Sequence, residues 1–527
     1  MNIRLFSQVP LRHGWKLLLL MLSFGPVCGA SAQADLNILF TNGPASNRVN
    51  IVFFSEGYQT NQLPQFLNDA AAAVSNLFSR QSIAFEYYNP YVEYSNYFNA
   101  YAVSVASTNS GSNHSLISNT NKTYFRSTYG GNGIVQLITI PPNSLDSNFA
   151  DGAGKVQALL TNQALYAATN LAIATNVLKQ VTSSNRFLVL IVNDTTYGGS
   201  DTPPNLNTPL PIAITSLGNS SSNGPAARVL LHESGHAIGG LADEYTNNYA
   251  ITPVERPNAT MVTNMDQITW NAWITNYDVN AFGSAPPIPM PDNGSTANEV
   301  GLVEGAEYHA TGWYRPMDNC IMNQISAAGF CPVCSEAIVK AIYQKVDSID
   351  SYFPNTNNNH VTIGVTNGIA FGVVSLQPAT HSLNLQWFTN GVAVPGVTNS
   401  TFTLFPGNFT NGPCSVQAQV VDTTVIPQNN SYYTTLVLSD PNHYLSNSVS
   451  WNVTIGLTTL QLVSPRWLGG GQFTFTVSGT APNGFVIQAS TNLVNWVPLS
   501  TNTLNGGLFN YTNNAGFSQR YYRTVTP

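Results

Sequence analysis

Residues 229–245 read Val229-Leu230-Leu231-His232-Glu233-Ser234-Gly235-His236-Ala237-Ile238-Gly239-Gly240-Leu241-Ala242-Asp243-Glu244-Tyr245. His232 and His236 are four apart, so on a helix both imidazoles leave the same face about one turn apart. Two ligands of one tetrahedral Zn²⁺ need that placement. Glu233 follows the first histidine and would stand beside the ion. There a carboxylate can take a proton from a metal-bound water and pass it to a leaving amine. The apolar lead Ala226-Ala227-Arg228-Val229-Leu230-Leu231 anchors the helix, and Gly239-Gly240 can end it in a left-handed turn that sends the chain back over the metal. The bland alternative is a helix with two core histidines and a solvated acidic end. A buried helix of low charge has little use for a His-Glu-His face.

The rest of the chain sets the context. Its 527 residues are too long for one core and imply about three or four domains. Only 8% of residues are charged, against roughly 25% in an average soluble domain. The net charge of -7 argues against a nucleic-acid binder, and 11% aromatic residues argue against disorder. Asn, Thr, Ser and Gln must therefore build the polar surface, which suits a secreted protein. Arg4, Arg12 and Lys16 precede the apolar run Leu17 to Leu22, and Ala30-Ser31-Ala32 follows. That order reads as a cleaved secretory signal over residues 1–32, too short in its apolar part to span a bilayer. The expectation is an exported, extracellular protein with no transmembrane segment.

Four cysteines remain beyond the signal. Cys320, Cys331 and Cys334 lie close together and Cys414 stands apart. In an oxidising compartment the cluster reads as one disulfide plus a spare thiol. A structural zinc site would need a fourth ligand, and none is obvious nearby.

From Leu36 to about Phe353, apolar strands alternate with amphipathic helices. Strands are expected at Val49–Phe54, Ala100–Val105, Gly133–Ile140 and Phe187–Val192, with helices over Gln62–Phe78, Val156–Gln180 and Cys334–Val346. This alternation predicts an α/β or α+β domain with a largely parallel sheet. The composition changes at Asn355-Thr356-Asn357-Asn358-Asn359, beyond which only short alternating runs and Asn-Gly or Pro-Gly turns remain. Residues 358–456 resemble a bacterial immunoglobulin-like sandwich, with Trp387 as its core tryptophan and Cys414 near the place of a second cysteine whose partner is missing. A small all-β unit follows over residues 459–527. The fold class is thus multidomain: an α/β (α+β) zincin-like catalytic domain at 36–353 followed by two all-β sandwich domains.

Asp243, just beyond the glycine turn, is the preferred third metal ligand, as in zincins with an elongated motif. Their usual spacing reaches Ala242 when counted from Gly239, and Asp243 only when counted from Gly240. Glu244 is the neighbouring alternative. Glu304 or Glu307 is the alternative for a site with a distant glutamate.

The run from His232 to Tyr245 resembles the M64 metallopeptidases, a family named for a member that cleaves immunoglobulin A. The likeness continues, in order, through Ser55-Glu56-Gly57-Tyr58, Tyr197-Gly198-Gly199, Arg256-Pro257-Asn258-Ala259-Thr260, Glu304-Gly305-Ala306, Gly312-Trp313-Tyr314-Arg315-Pro316, Cys320-Ile321-Met322 and Phe330-Cys331-Pro332-Val333-Cys334. It spans roughly residues 36 to 350. The first strand follows the signal so soon that the separate N-terminal β-domain of some members is not expected. The resemblance implies a metzincin-like site with one catalytic Zn²⁺ held by His232, His236 and Asp243, Glu233 as catalytic base, and Met322 as the methionine turn beneath it. Gln324 stands two residues after that methionine, so no tyrosine switch carries over. Tyr308, Tyr314 and Arg315 are candidates for oxyanion or substrate contacts, or for packing. Glu56 is open between metal binding and capping a turn, while His114 and His309 lack ligand spacing and read as structural.

These readings converge on a secreted zinc endopeptidase acting on a protein or peptide substrate. The competing classes are a non-catalytic surface or adhesion protein, whose C-terminal β-domains would contact surface glycans or proteins, and a zinc hydrolase of a non-peptide amide.

Overall fold

A computed structural model describes residues 33–79, 89–114, 121–130, 135–137, 152–202, 211–217, 225–247, 252–275, 289, 298–327, 329–363, 368–405, 412–425, 435–455, 460–479, 484–505, 508–514, 516–517 and 519–525. The expected signal lies outside them. The protein is a mixed α/β chain with several sheets, and it divides into two compact units. One comprises Met1–Asp347 with two later segments, Gln377–Ser382 and Thr423–Leu445. The other comprises Ser348–Leu376, Leu383–Asp422 and Ser446–Pro527.

A six-stranded sheet organises the first unit, in the order Asp35–Phe40, Phe98–Ser104, Val49–Glu56, Arg186–Val192, Ile212–Ser216, Gly199–Thr202. The four inner strands run parallel, and the two outer ones pair antiparallel. All eight positions of Val49–Glu56 are buried, as a strand covered on both faces requires. Its polar residues are therefore bonded internally: Asn50 Nδ2 donates to Ala45 O at 2.7 Å and Ser55 Oγ to Val105 O at 2.8 Å. Helix Leu63–Leu77 buries Phe66, Ala70, Val74 and Leu77, one stripe at helical spacing.

One expected element is divided. Instead of a single helix over Val156–Gln180 there are two, Gly152–Thr161 and Leu171–Leu178, with a short 3-10 turn at Gln163–Leu165 between them. The side chain of Asn162 accepts from Ala164 N at 3.2 Å, which competes with continuation of the helix. The interrupted backbone then pairs with the start of the first strand, Ala34 N donating to Leu165 O and Ala167 N to Ala34 O.

Helix Pro225–Gly239 carries the His-Glu-His motif and packs on strand Ile212–Ser216 and on helix Pro332–Tyr343. Gly239 allows this approach, since a Cβ there would stand 2.9 Å from Ile338 Cγ1. Glu336, on the second of these helices, accepts at Oε2 from Leu438 N at 2.8 Å and from Trp273 Nε1 at 2.7 Å.

In the second unit, sheet Ile349–Phe353, Ile369–Ser375, Thr401–Leu404 shares an apolar core with the sheet His360–Ile363, Ser446–Ile455, Gly412–Val421, Asn384–Thr389, Val392–Ala393. Phe371, Trp387, Val416 and Trp451 fill its centre, the two indoles 6.0 Å apart. Two three-stranded sheets over residues 461–525 enclose a smaller core around Phe475, Val477, Phe485 and Ile487. Among the described residues no helix is long and apolar enough to cross a membrane.

Candidate metal centre

His232 Nδ1 lies 2.9 Å from Ile321 O, and His236 Nδ1 lies 2.7 Å from Leu241 O. A carbonyl only accepts, so each Nδ1 carries a proton and each Nε2 is the ring nitrogen turned inward, where it can give its lone pair to a cation. The two Nε2 atoms are 3.2 Å apart and stand 3.0 and 3.3 Å from Asp243 Oδ1. That oxygen is buried and has no hydrogen-bond donor among the described residues. Three such donors facing one another need positive charge between them, as protons or as a metal ion. Donors at ~2.0–2.2 Å from a tetrahedral zinc stand roughly 3.3–3.5 Å apart, close to these spacings. The donor set fits a divalent metal.

The electrostatics agree. Burial works to lower the His236 pKa, yet Asp243 and the neighbouring groups raise it to about 10, and His232 is raised in the same way. Burial works against the Asp243 carboxylate, but the two histidines hold it far below the usual range. The pocket attracts positive charge strongly enough to overcome desolvation. Burial pushes Glu233 up to about 7, against the pull of both histidines.

Local chain geometry explains the convergence. Gly240, at φ +62°, turns the chain back, and Leu241 N donates to Gly235 O at 3.2 Å. Asn258 then grips the returning chain: its Oδ1 accepts from Ala242 N at 2.7 Å and its Nδ2 donates to Ala242 O at 3.0 Å. Strands Val303–Ala306 and His309–Arg315 form a hairpin whose turn residues, Glu307 and Tyr308, both have left-handed φ. Non-glycine residues hold that conformation when neighbours fix it. Here Glu307 N donates to Asp243 O and Tyr308 N to Tyr245 O, while the Tyr308 hydroxyl donates to Asp243 Oδ2. Below the helix, Met322 is fully buried against Gly235, where a Cβ would stand 2.6 Å from its Sδ. At the edge strand, a Cβ on Gly199 would lie 3.1 Å from Glu233 Oε1, so that glycine keeps the backbone against the carboxylate.

The family model for IgA peptidase M64 matches residues 38–292 and 288–342. The chain belongs to this family. No curated protein matches it. Among solved structures, apo β-glucuronidase 3 of Bacteroides uniformis is similar at 7% identity and a TM-score of 0.12, over 41% of this chain and 29% of that one. This chain therefore spans less than a third of that enzyme's length, and so slight a likeness carries no structural argument.

M64 enzymes are metal-dependent peptidases, and this M64 chain brings His232, His236 and Asp243 together as one candidate metal group. The alternative ligands go elsewhere. Glu304 Oε1 accepts from Gly312 N at 3.0 Å, and Glu307 contributes its backbone to Asp243. Arg315 is 3% exposed, with its guanidinium on Asp318 and the carbonyls of Glu304 and Gly305, so it ties the hairpin together and offers no surface to substrate. Tyr308 is committed to Asp243, while half-buried Tyr314 exchanges backbone bonds with Thr260. Glu56 is a buried anchor for residues 123–127: it accepts from Thr123 Oγ1, Phe125 N, and both N and Oγ of Ser127 at 2.6–2.9 Å. His114 sits 3.0 Å from Asp194, and His309 on Glu307 O.

The cysteines depart from expectation. All three of the cluster are free and buried, with Cys320 and Cys334 sulfurs 3.7 Å apart where a disulfide has about 2.05 Å. Glu244, the neighbouring alternative for the histidine site's third ligand, turns instead into this cluster. Sequence distance hid it, for ninety residues separate Glu244 from Cys334.

Proposed function

We propose that this protein is an exported zinc endopeptidase, with Zn²⁺ on His232, His236 and Asp243 and Glu233 as general base. The observation that carries the reading is the inward convergence of two histidine Nε2 atoms on one buried oxygen of Asp243, with a buried glutamate next along the helix. A zinc ion there would supply a Lewis acid and an acidified water. Glu233 takes the proton of the attacking water and returns it to the leaving amine nitrogen. Its burial keeps the carboxylate basic enough for the first transfer and the acid strong enough for the second. The carbonyls of Ile321 and Leu241 orient the two imidazoles, and Tyr308 fixes Asp243. Met322 forms the floor in the manner of a methionine turn. In this reading the catalytic domain is zincin-like and is followed by an immunoglobulin-like sandwich at 358–456 and a smaller one at 459–527. The apolar cores of the paired sheets support two sandwiches, the first of them reaching back to strand Ile349–Phe353.

Cleavage of a proteome-derived peptide library, with and without chelator, tests the proposal. Chelator-sensitive cuts at defined subsites are expected, and Glu233→Ala should keep its metal while losing at least ~100-fold in rate. Near-normal hydrolysis by Glu233→Ala would rule the mechanism out.

A further inference from the structure

Cys320, Cys331, Cys334 and Glu244 each offer one donor atom, and these four atoms lie within 4.8 Å of one another, all on fully buried or nearly inaccessible residues. The sulfurs of Cys320 and Cys334 are 3.7 Å apart. Two thiolates at ~2.3 Å on a tetrahedral zinc stand about 3.8 Å apart, so the spacing is that of two ligands of one ion. Glu244 Oε1 is 3.1 Å from Cys334 Sγ and accepts from Asn258 Nδ2 at 2.9 Å. Its other oxygen, Oε2, is buried with no hydrogen-bond partner among the described residues. A carboxylate at 0% exposure with an orphaned oxygen is costly unless a cation compensates it.

The backbone is also arranged for thiolates. Cys331 caps helix Pro332–Tyr343, Cys334 N points at Cys331 Sγ at 3.5 Å, and Cys331 N points at Cys320 Sγ at 3.4 Å. N–H groups at a helix start favour the negative sulfur. A disulfide would use two of the three sulfurs and leave a thiol and the carboxylate with nothing to neutralise. A divalent ion uses all four donors.

We propose that these four residues form a second metal site, a closed structural Zn²⁺ centre distinct from the histidine site. Binding displaces to solvent the protons held by the thiols and by the buried carboxyl, leaving three thiolates and one carboxylate on one dication. The site has no open position for water, so its role is mechanical. Cys320 lies in the turn that gives Ile321 O to His232 and Met322 O to Glu244 N, and Glu244 follows Asp243 directly. The ion would therefore clamp two of the segments that build the catalytic site.

Full-length protein purified without chelator should carry two metal equivalents by elemental analysis. After exchange into Co²⁺ it should show an intense thiolate-to-cobalt charge-transfer band in the near ultraviolet, which a site of two histidines and a carboxylate does not produce. His232→Ala should keep the band and lose one equivalent, while Cys331→Ser should lose the band. The native-protein spectrum needs no variant to fold. One metal equivalent with no charge-transfer band, or a Cys320–Cys334 disulfide found by peptide mapping of the unreduced native protein, would overturn the proposal.

Discussion

Asp243 and Glu244 are consecutive, yet their carboxylates serve different clusters. Asp243 Oδ1 faces the two histidine Nε2 atoms, and Glu244 Oε1 faces Cys334 Sγ. Two consecutive residues of the segment after the glycine turn therefore serve both clusters. Asn258 holds that segment at Ala242 and Glu244 and so fixes the two carboxylates together.

The pair can be separated by substitution. Asp243→Ala leaves two protein ligands at the histidine site, where a catalytic zinc normally has three, so that metal and all activity should be lost. Asp243→Asn keeps the size but removes charge, and should weaken binding less severely. Glu244→Gln should leave the histidine site's metal in place. Metal content of the three purified variants checks this, and full catalytic metal in Asp243→Ala would move the ligand elsewhere.

Tyr308 donates to the Asp243 oxygen that faces away from the histidines. Groups that orient a metal ligand from behind contribute about 10–100-fold to affinity or activity. Tyr308→Phe should therefore release metal to a competing chelator about tenfold more readily, with little change in thermal stability. Unchanged metal affinity would show that the strained turn alone positions Asp243.

Asp194 accepts from Thr196 N at 2.9 Å and Ser112 N at 3.1 Å, with His114 Nε2 at 3.0 Å. Burial acts to raise its pKa, but these bonds prevail and hold it below the usual carboxylate range. A depressed folded pKa contributes stability above the unfolded value, and that contribution is lost as the pH falls through the folded one. Urea midpoints should therefore decline below about pH 4, and Asp194→Asn should reduce this decline. Parallel curves for the two proteins would remove Asp194 from the acid response.

Much of this was legible in sequence because it is local. The His232–His236 spacing, the glycine turn and the run Val49-Asn50-Ile51-Val52-Phe53-Phe54 depend on neighbours within a few residues. What stayed hidden depends on partners far along the chain. Glu56 anchors residues 123–127, and Arg315 is absorbed by Asp318 and its own hairpin. The break after Thr161 needed Ala34 as its pairing partner. The cysteine trio read as a disulfide because its fourth member, Glu244, lies ninety residues before Cys334, in the segment after the glycine turn.

Gly235 sits between Glu233 and His236 and faces the methionine below. A Cβ there would stand 2.6 Å from Met322 Sδ and 2.9 Å from Phe330 Cε1, both closer than packed atoms tolerate. Alanine improves helix propensity by about 1 kcal/mol over glycine. Overpacking a closed core costs about 1–3 kcal/mol. Met322 and Phe330 are 0% and 1% exposed, so neither has free space to retreat into, and the steric cost should win. Gly235→Ala should lower the melting temperature by a few degrees and reduce activity, because the helix must lift away from Ile321, whose carbonyl orients His232. Met322→Ala alone should destabilise by roughly 2–5 kcal/mol through the cavity it leaves. In the double variant the new methyl enters part of that cavity, so the combined loss should fall short of the sum by about 1 kcal/mol or more. Strict additivity in that cycle would mean that Gly235 and Met322 are not in contact, and the floor beneath the site would have to be sought elsewhere.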